Sequence, residues 1–515
     1  MTSPLLLAQA VPVSTLPRLS TVDPHFQSYN IEMVEVTGGR FWAPYKQQGK
    51  PQPDDASKAS VPAGMDPSLY RYRPPIDLYN AKLRRLAAAL SPAYVRVSGT
   101  WANSTYFHDS DAPAPEKPPA GFGGVLTRKQ WKGVLDFSRA VDAPIVFSFA
   151  VNTGVRDANG VWTPVEAKKV LDYTSSQKGV IAAAEMFNEP TFASIGGAPK
   201  GYNAESYGRD YKAFHAFISK AAPRMMILGP GSVGELGFSS TPPIQLTMLK
   251  TTDMLDAAGT AGLDAFSYHF YGGVSQRCQR PGQHSTDTVE TALTDDWLSR
   301  TNRDEAFYSK LRDQYLPGKP LWLTETGETA CGGDPWASTF LDSFRYLNQL
   351  GTLARRNVQV VIHNTLAASD YALLDEDTLT PRPNYWAALL WHRLMGTTVL
   401  DAGSSTGPVY LYAHCLRNHS RSPGRSGGVA ILAINADHDA EHTITLPTAS
   451  ERYTLSSDNL TSSQVALNGV DLALDGKGNL PTLTGTPTLA GTVILAPTTI
   501  TFFVIPRADN PTCHL

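Results

Sequence analysis

The chain has 515 residues, of which 42% are hydrophobic and 18% charged, with a formal net charge of −3. That length exceeds the roughly 250–300 residues one core usually holds, so at least two domains are expected, and the composition is that of a folded chain. Only short basic pairs occur (Arg84-Arg85, Arg355-Arg356) and no apolar run reaches about 18 residues, so neither a nucleic-acid nor a membrane partner is expected.

In chain order, the segment 11–22 is expected to supply one strand. From about 25 to 397, apolar runs alternate with helical stretches. The runs are 29–36, 93–99, 143–150, 181–187, 224–230, 264–271, 320–325 and 358–364. Helical periodicity falls at 80–90, 128–141 and 338–350. Eight apolar runs separated by helices predict parallel βα units, and eight in one domain predict a closed (β/α)8 TIM barrel. The Pro- and Asp-rich stretch 109–120 and the segment 272–292 are expected as long loops at the barrel mouth. From 398 to 515 the segments are short, β-branched and aromatic, with Gly, Pro, Asn and Asp between them. They predict an antiparallel β-sandwich, to which 11–22 adds its strand. The expected architecture is therefore α/β, a TIM barrel with a C-terminal sandwich.

The four cysteines show no C-x-x-C spacing, which argues against a zinc or redox motif. An even count fits two disulfides and a secreted or periplasmic location. Four buried thiols in a cytosolic enzyme are the alternative. The opening MTSPLLLAQAVPV has an apolar patch before Ala-Gln-Ala but no charged leader.

In such a barrel the reactive groups sit at the C-terminal ends of the strands. The fourth run ends in Phe187-Asn188-Glu189-Pro190 and the seventh in Leu323-Thr324-Glu325-Thr326. Two carboxylates facing each other across a cleft suit glycosidic cleavage. One protonates the leaving oxygen, and the other attacks the anomeric carbon or activates water. A separation of about 5–5.5 Å means retention and about 6.5–9.5 Å inversion. Glu185 and Glu328 compete for these roles. Glu185 reads as a buried structural carboxylate and Glu328 as a rim or salt-bridge residue. His269 reads equally as a barrel residue or a site residue, and Trp101 as a sugar platform or a packing residue.

Asn-Glu-Pro after strand four and Glu after strand seven resemble the retaining glycosidases built on this barrel. LRRLAAALSPAYVRVSGT (83–100), MFNEPTF (186–192), LDAFSYHFYGG (263–273), PLWLTETGETACGG (320–333), NYWAALLWHRLMGTTVL (384–400) and TITFFVIP (499–506) narrow the match. Together they resemble the heparanase family, glycoside hydrolase family 79. The resemblance implies Glu189 as acid/base and Glu325 as nucleophile. It implies Tyr271 beside the nucleophile and Asn188 on a sugar hydroxyl. Backbone amides of Gly332 and Gly333 would bind the glucuronate carboxylate. Thr100, Glu32 (Asp in the animal enzyme) and Asn364 (in place of Gln) would complete the substrate contacts. A disulfide from the sandwich to the tail maps on Cys415 and Cys513, which leaves Cys278 and Cys331 as a second pair at the barrel mouth.

The expected function is retaining β-glucuronidase action by double displacement, in a monomer without metal or cofactor, on a glucuronic acid-containing oligo- or polysaccharide. A heparanase-like endo cleavage of heparan sulfate is favoured, with Arg277, Arg280, Lys117 and Arg128 as mouth cations. Exo removal of terminal glucuronate is the alternative. An inactive carbohydrate-binding homologue is a third reading, from a different class.

Overall fold

The computed structural model describes residues 9–47, 66–237, 248–279, 287–403, 407–417 and 427–514. Arg280, one of the four expected mouth cations, lies outside them. Eight parallel strands close into a barrel: Gln27–Glu32, Val95–Ser98, Ile145–Ser148, Ile181–Glu185, Met226–Ser232, Leu263–Tyr271, Leu321–Gly327 and Val358–His363, called strands one to eight. Strand eight pairs with strand one and closes the ring. A helix follows each strand, from Ala81–Ala88 after strand one to Pro383–Leu394 after strand eight.

Two-residue alternation explains the near-continuous apolar runs, since both faces are covered. Val95 and Val97, Ile145 and Phe147 point outward into the layer beneath the helices. Val146, Ala183, Leu228, Ala265, Trp322 and Val360 fill the lower barrel interior. Above that apolar plug the interior turns polar, and the inward residues there are Arg96, Glu185, His269 and Thr324, each fully buried.

The first run differs from its expected extent. Strand one stops at Glu32, and Met33–Thr37 form a short helix. The Glu35 carboxylate accepts the Glu32 N–H at 2.8 Å, which turns the chain there. The stop leaves Glu32 at the mouth. Beyond the helix, Gly39–Trp42 and Tyr70–Arg73 pair as a two-stranded excursion that periodicity did not reveal.

The second unit has a nine-stranded antiparallel sheet, in which Met395–Leu400 links Arg18–Thr21 to Val409–Leu416. A three-stranded sheet of Gln9–Ala10, His442–Leu446 and Gly491–Leu495 faces it. Leu411, Ile431, Ile444, Val493 and Phe503 form the core between the sheets. The opposite face of the large sheet, with Tyr412, Leu432 and Phe502, packs into the barrel's own core. The N-terminal segment thus contributes two short strands. The Asn510 amide holds it by donating to the carbonyls of Val13 and Leu16 at 2.9 and 3.0 Å.

Candidate active site

The polar layer of the barrel is organised around Arg96. Its guanidinium is fully buried, and a buried charge is costly unless paired and hydrogen-bonded. Nη2 donates to Glu185 at 2.8 Å and to Asn188 Oδ1 at 2.8 Å, while Nη1 donates to Glu325 Oε2 at 2.7 Å. Nη2 also lies 3.2 Å from His269 Nε2. A guanidinium can only donate, so Nε2 accepts and the imidazole proton sits on Nδ1. From there it donates to Glu189 Oε1 at 3.1 Å. The ring is thereby fixed by two partners.

Glu189 and Glu325 meet in this frame. One carboxylate oxygen of each, with a ring nitrogen of His269, lie within 4.8 Å of one another. Glu189 follows strand four in the left-handed region, at φ 50° and ψ 62°, which is strained for a side chain larger than glycine. Asn103 holds the turn. Its Oδ1 accepts the Asn188 N–H at 2.8 Å, and its Nδ2 donates to the Asn188 carbonyl at 2.9 Å. Glu325 takes a second donor from Tyr271, whose hydroxyl lies 2.7 Å from Oε1. Asn364 donates to that hydroxyl at 3.0 Å and to the Tyr371 hydroxyl at 3.1 Å, and itself accepts from Asn30 at 3.1 Å.

Burial raises the carboxyl of Glu189 above the ordinary glutamate range; the His269 hydrogen bond opposes this, and the nearby charge of Glu325 adds to it. Burial also works on Glu185, but Arg96, His269 and the Thr324 hydroxyl outweigh it and hold that group low. Burial and the charge of Glu325 push Glu32 well above its usual range. Its Oε2 accepts no hydrogen bond from the described residues. A Cβ at residue 99 would lie 1.4 Å from that oxygen, so only glycine fits there, at φ +87°. Thr100 follows half-buried at the start of a short turn, outside the hydrogen-bonded cluster.

Gly332 and Gly333 both adopt φ +86°. Their carbonyls are pinned behind them. Ser369 Oγ donates to Gly332 O at 3.0 Å and Ser275 Oγ to Gly333 O at 2.8 Å. Neither amide N–H donates to an acceptor among the described residues, although both residues are buried. Two adjacent amides in buried residues are thus left with donors to offer, and an N–H pair of this kind can donate to an anion. Cys331, just before them, is bonded to Cys278, and Cys415 is bonded to Cys513.

Three expectations need correction. Glu328 is no rim residue. It is fully buried, and its Oε2 accepts the Asp334 N–H and the Thr329 hydroxyl, each at 2.9 Å. Arg277 is not an open mouth cation. Only 1% of its side chain is exposed, and it pairs with Asp370 at 2.7 Å. Arg128 pairs with Asp109 and Asp111 at 2.8 and 3.2 Å. Sequence reasoning missed Arg96, Asn103 and Tyr371 and left His269 undecided. The available signal was Arg96 itself, a charge at an inward position of an apolar strand.

Glu189, His269 and Glu325 are the one group among the described residues with donors close enough for a metal ion. Arg96 already places a positive charge on Glu325, so the cluster does not suit a divalent cation.

The chain is 26% identical to heparanase-like protein 1 of Arabidopsis thaliana over 493 residues, 85% of this chain and 86% of that protein. It is 28% identical to hyaluronoglucuronidase of Hirudo nipponia over 479 residues, 85% of this chain and 92% of that one. In fold it is similar to a 4-O-α-L-rhamnosyl-β-D-glucuronidase from Fusarium oxysporum 12S, with a TM-score of 0.61 at 12% identity, covering 97% of this chain and 100% of that one. The model of the glycosyl hydrolase family 79 N-terminal domain matches residues 75–351, more than half of the chain, which therefore belongs to glycosyl hydrolase family 79.

Proposed function

We propose that this chain is a retaining β-glucuronidase that cleaves glucuronosyl linkages in an oligo- or polysaccharide. The observation that carries retention is the spacing of Glu189 and Glu325, with one carboxylate oxygen of each within 4.8 Å of the other. One oxygen of each so close fits the retaining separation of about 5–5.5 Å better than the inverting one of about 6.5–9.5 Å. Glu325 attacks the anomeric carbon, its charge oriented by Arg96 and Tyr271. Glu189, with its raised affinity for a proton, protonates the departing oxygen. It then activates water, which hydrolyses the glycosyl ester.

The acceptor-free amides of Gly332 and Gly333 support a sugar bearing a carboxylate, because charge-assisted hydrogen bonds reward an anion there. The Hirudo hyaluronoglucuronidase and the Fusarium rhamnosyl-glucuronidase, both glucuronidases by name, point the same way. Arg277 and Arg128 are already paired, so the reading does not rest on a sulfated chain. Two disulfides fit an oxidising compartment outside the cytosol. No helix among the described residues is long and apolar enough to cross a membrane.

Hydrolysis of p-nitrophenyl β-glucuronide tests the reading. Proton NMR should show the β-anomer of glucuronic acid formed first, and Glu325→Gln should abolish turnover. A first-formed α-anomer would refute retention. Absence of turnover would favour the carbohydrate-binding alternative.

A further inference from the structure

A trans peptide points its carbonyl and its N–H in opposite directions. A group that holds a glycine carbonyl in the loop after strand seven therefore aims the N–H at the far side of the same peptide. The peptide between Gly333 and Asp334 is occupied at both ends. Its carbonyl accepts from Ser275 Oγ at 2.8 Å and from Arg277 Nη2 at 3.4 Å, and its N–H donates to Glu328 Oε2 at 2.9 Å. That peptide anchors the loop. The peptide between Gly332 and Gly333 is held at one end only. Its carbonyl accepts from Ser369 Oγ at 3.0 Å and from the Asp370 N–H at 3.2 Å, one donor for each oxygen lone pair. Its N–H, on Gly333, donates to no acceptor among the described residues.

We propose that Ser369 is a positioning residue for carboxylate recognition. It holds the Gly332 carbonyl so that the Gly333 N–H on the other side of the peptide meets the carboxylate of the glucuronate. The proposal rests on the glucuronidase reading and deepens it, by naming the side chain that sets affinity for the charged end of the sugar.

Three observations support it. Ser369 is fully buried, in the segment after strand eight, and each of its polar groups is engaged. Its N–H donates to Glu376 Oε2 at 3.1 Å and its carbonyl accepts from Arg382 Nη1 at 3.1 Å, so the residue is fixed from both sides. Second, it stands at φ 67°, in the left-handed region, which costs energy for any side chain larger than glycine. Glycine would sit there more easily but would bring no hydroxyl, and the hydroxyl's hydrogen bond is the one to Gly332. Third, the neighbouring donor is just as firmly placed. The Asp370 carboxylate pairs with Arg277 at 2.7 Å and accepts the Tyr45 N–H at 3.0 Å. Two donors on one carbonyl also polarise the peptide and strengthen its N–H as a donor.

Ser369→Ala and Ser369→Gly both remove the hydroxyl. Neither orphans the Gly332 carbonyl, because the Asp370 N–H remains, and the glycine variant also relieves the strained backbone, so it should fold. A contact to the carboxylate is made alike in the ground and transition states, so its weakening raises KM and spares kcat. With p-nitrophenyl β-glucuronide, KM should rise roughly two- to tenfold in both variants, the size of one lost hydrogen bond, with kcat close to that of the wild type. The inhibition constant of free glucuronic acid should rise by the same factor. A purely structural role would instead lower the active fraction, and hence kcat, and leave KM and the inhibition constant where they were. That pattern in folded variants would overturn the proposal, and so would unchanged kinetics. A rise in KM confined to the glycine variant would overturn it as well, since backbone freedom would then be the cause. If the wild type does not cleave the glucuronide, the glucuronidase reading itself falls and takes the role of Ser369 with it.

Discussion

Replacing Arg96 with Met should damage stability and pH dependence in ways that can be calculated from its contacts. The guanidinium pairs with Glu185 at 2.8 Å and Glu325 at 2.7 Å, and all three groups are buried. At a charge separation near 4 Å and an effective dielectric of 20, each pair is worth about 4 kcal/mol of Coulomb attraction. Desolvation of the three charges offsets most of that in the intact cluster. Removing the cation alone leaves the carboxylates' desolvation cost uncompensated, so the loss should be roughly 3–5 kcal/mol. Against a typical total of about 5–15 kcal/mol, the variant should still fold, with a much lower denaturation midpoint. Activity should shift too. A cation beside a carboxylate favours its charged form, so its removal should move the acidic limb of kcat/KM to higher pH. Glu185→Gln should do the reverse. It removes an anion competing for Arg96 and keeps a side-chain oxygen for the Thr324 hydroxyl, now 2.7 Å away. The acidic limb should then move to lower pH. The assay is kcat/KM on p-nitrophenyl β-glucuronide across the acid range, with urea denaturation in parallel. Limbs that stay put in both variants, in folded protein, would refute the assignment of Arg96 as the charge partner of the reacting carboxylate.

Other consequences follow from the loop that carries the amide pair. Asp334 ends that loop beside Glu328, with Asp287 and Arg277 also near; burial, before the neighbouring charges, raises its carboxyl from 3.8 to about 7. Its folded value lies above its unfolded one, so the stability it contributes is full below about pH 4 and is lost as pH rises through about 7. Thermal melts at pH 5 and pH 8 should show the fall, and Asp334→Asn should reduce it. Replacing Cys278 and Cys331 together with Ser opens a link across 53 residues. Chain entropy puts the loss at about 4 kcal/mol as an upper figure. The KM for glucuronides should rise because Cys331 adjoins Gly332, and an unchanged KM would show that the bridge does not position the amides. Trapping Glu325 as a 2-fluoroglucuronyl ester should lower the titration point of Glu189 in carbon NMR, since the like charge that raises it is gone.

The barrel was legible because its signal is local. Each strand is an apolar run such as Ile145–Ser148, closed by a turn and followed by a helical period. Glu189 and Glu325 were legible for the same reason: each stands where a run ends. Arg96 was not. Within Val95–Ser98 it reads as an interruption, and its partners lie 89 and 229 residues away. Only closure of the ring brings them together. The boundary between the two units was blurred by a different cause. The helix Pro383–Leu394 runs straight into the strand Met395–Leu400, with no turn residue to mark the change. Glu328 was misplaced because loop position in sequence says nothing of depth. The following segment folds back over it, and its Oε2 accepts the backbone N–H of Asp334.

The division of labour between the two glutamates, in the proposed mechanism, comes from unequal partners rather than from unequal burial alone. Glu325 faces a guanidinium and a phenol, both at 2.7 Å and both donors to negative charge. Among the described residues Glu189 receives one hydrogen bond, from the His269 imidazole at 3.1 Å, and it faces the charge of Glu325. The first group is thus equipped to remain an anion and attack, the second to hold a proton and give it up. Formation of the glycosyl ester cancels the charge on Glu325. The repulsion on Glu189 then vanishes, and the same carboxyl, now easier to deprotonate, can take a proton from water. The role reversal that double displacement demands therefore needs no movement of the protein. It needs two carboxyls close enough to sense each other, with His269 and Arg96 holding both in place.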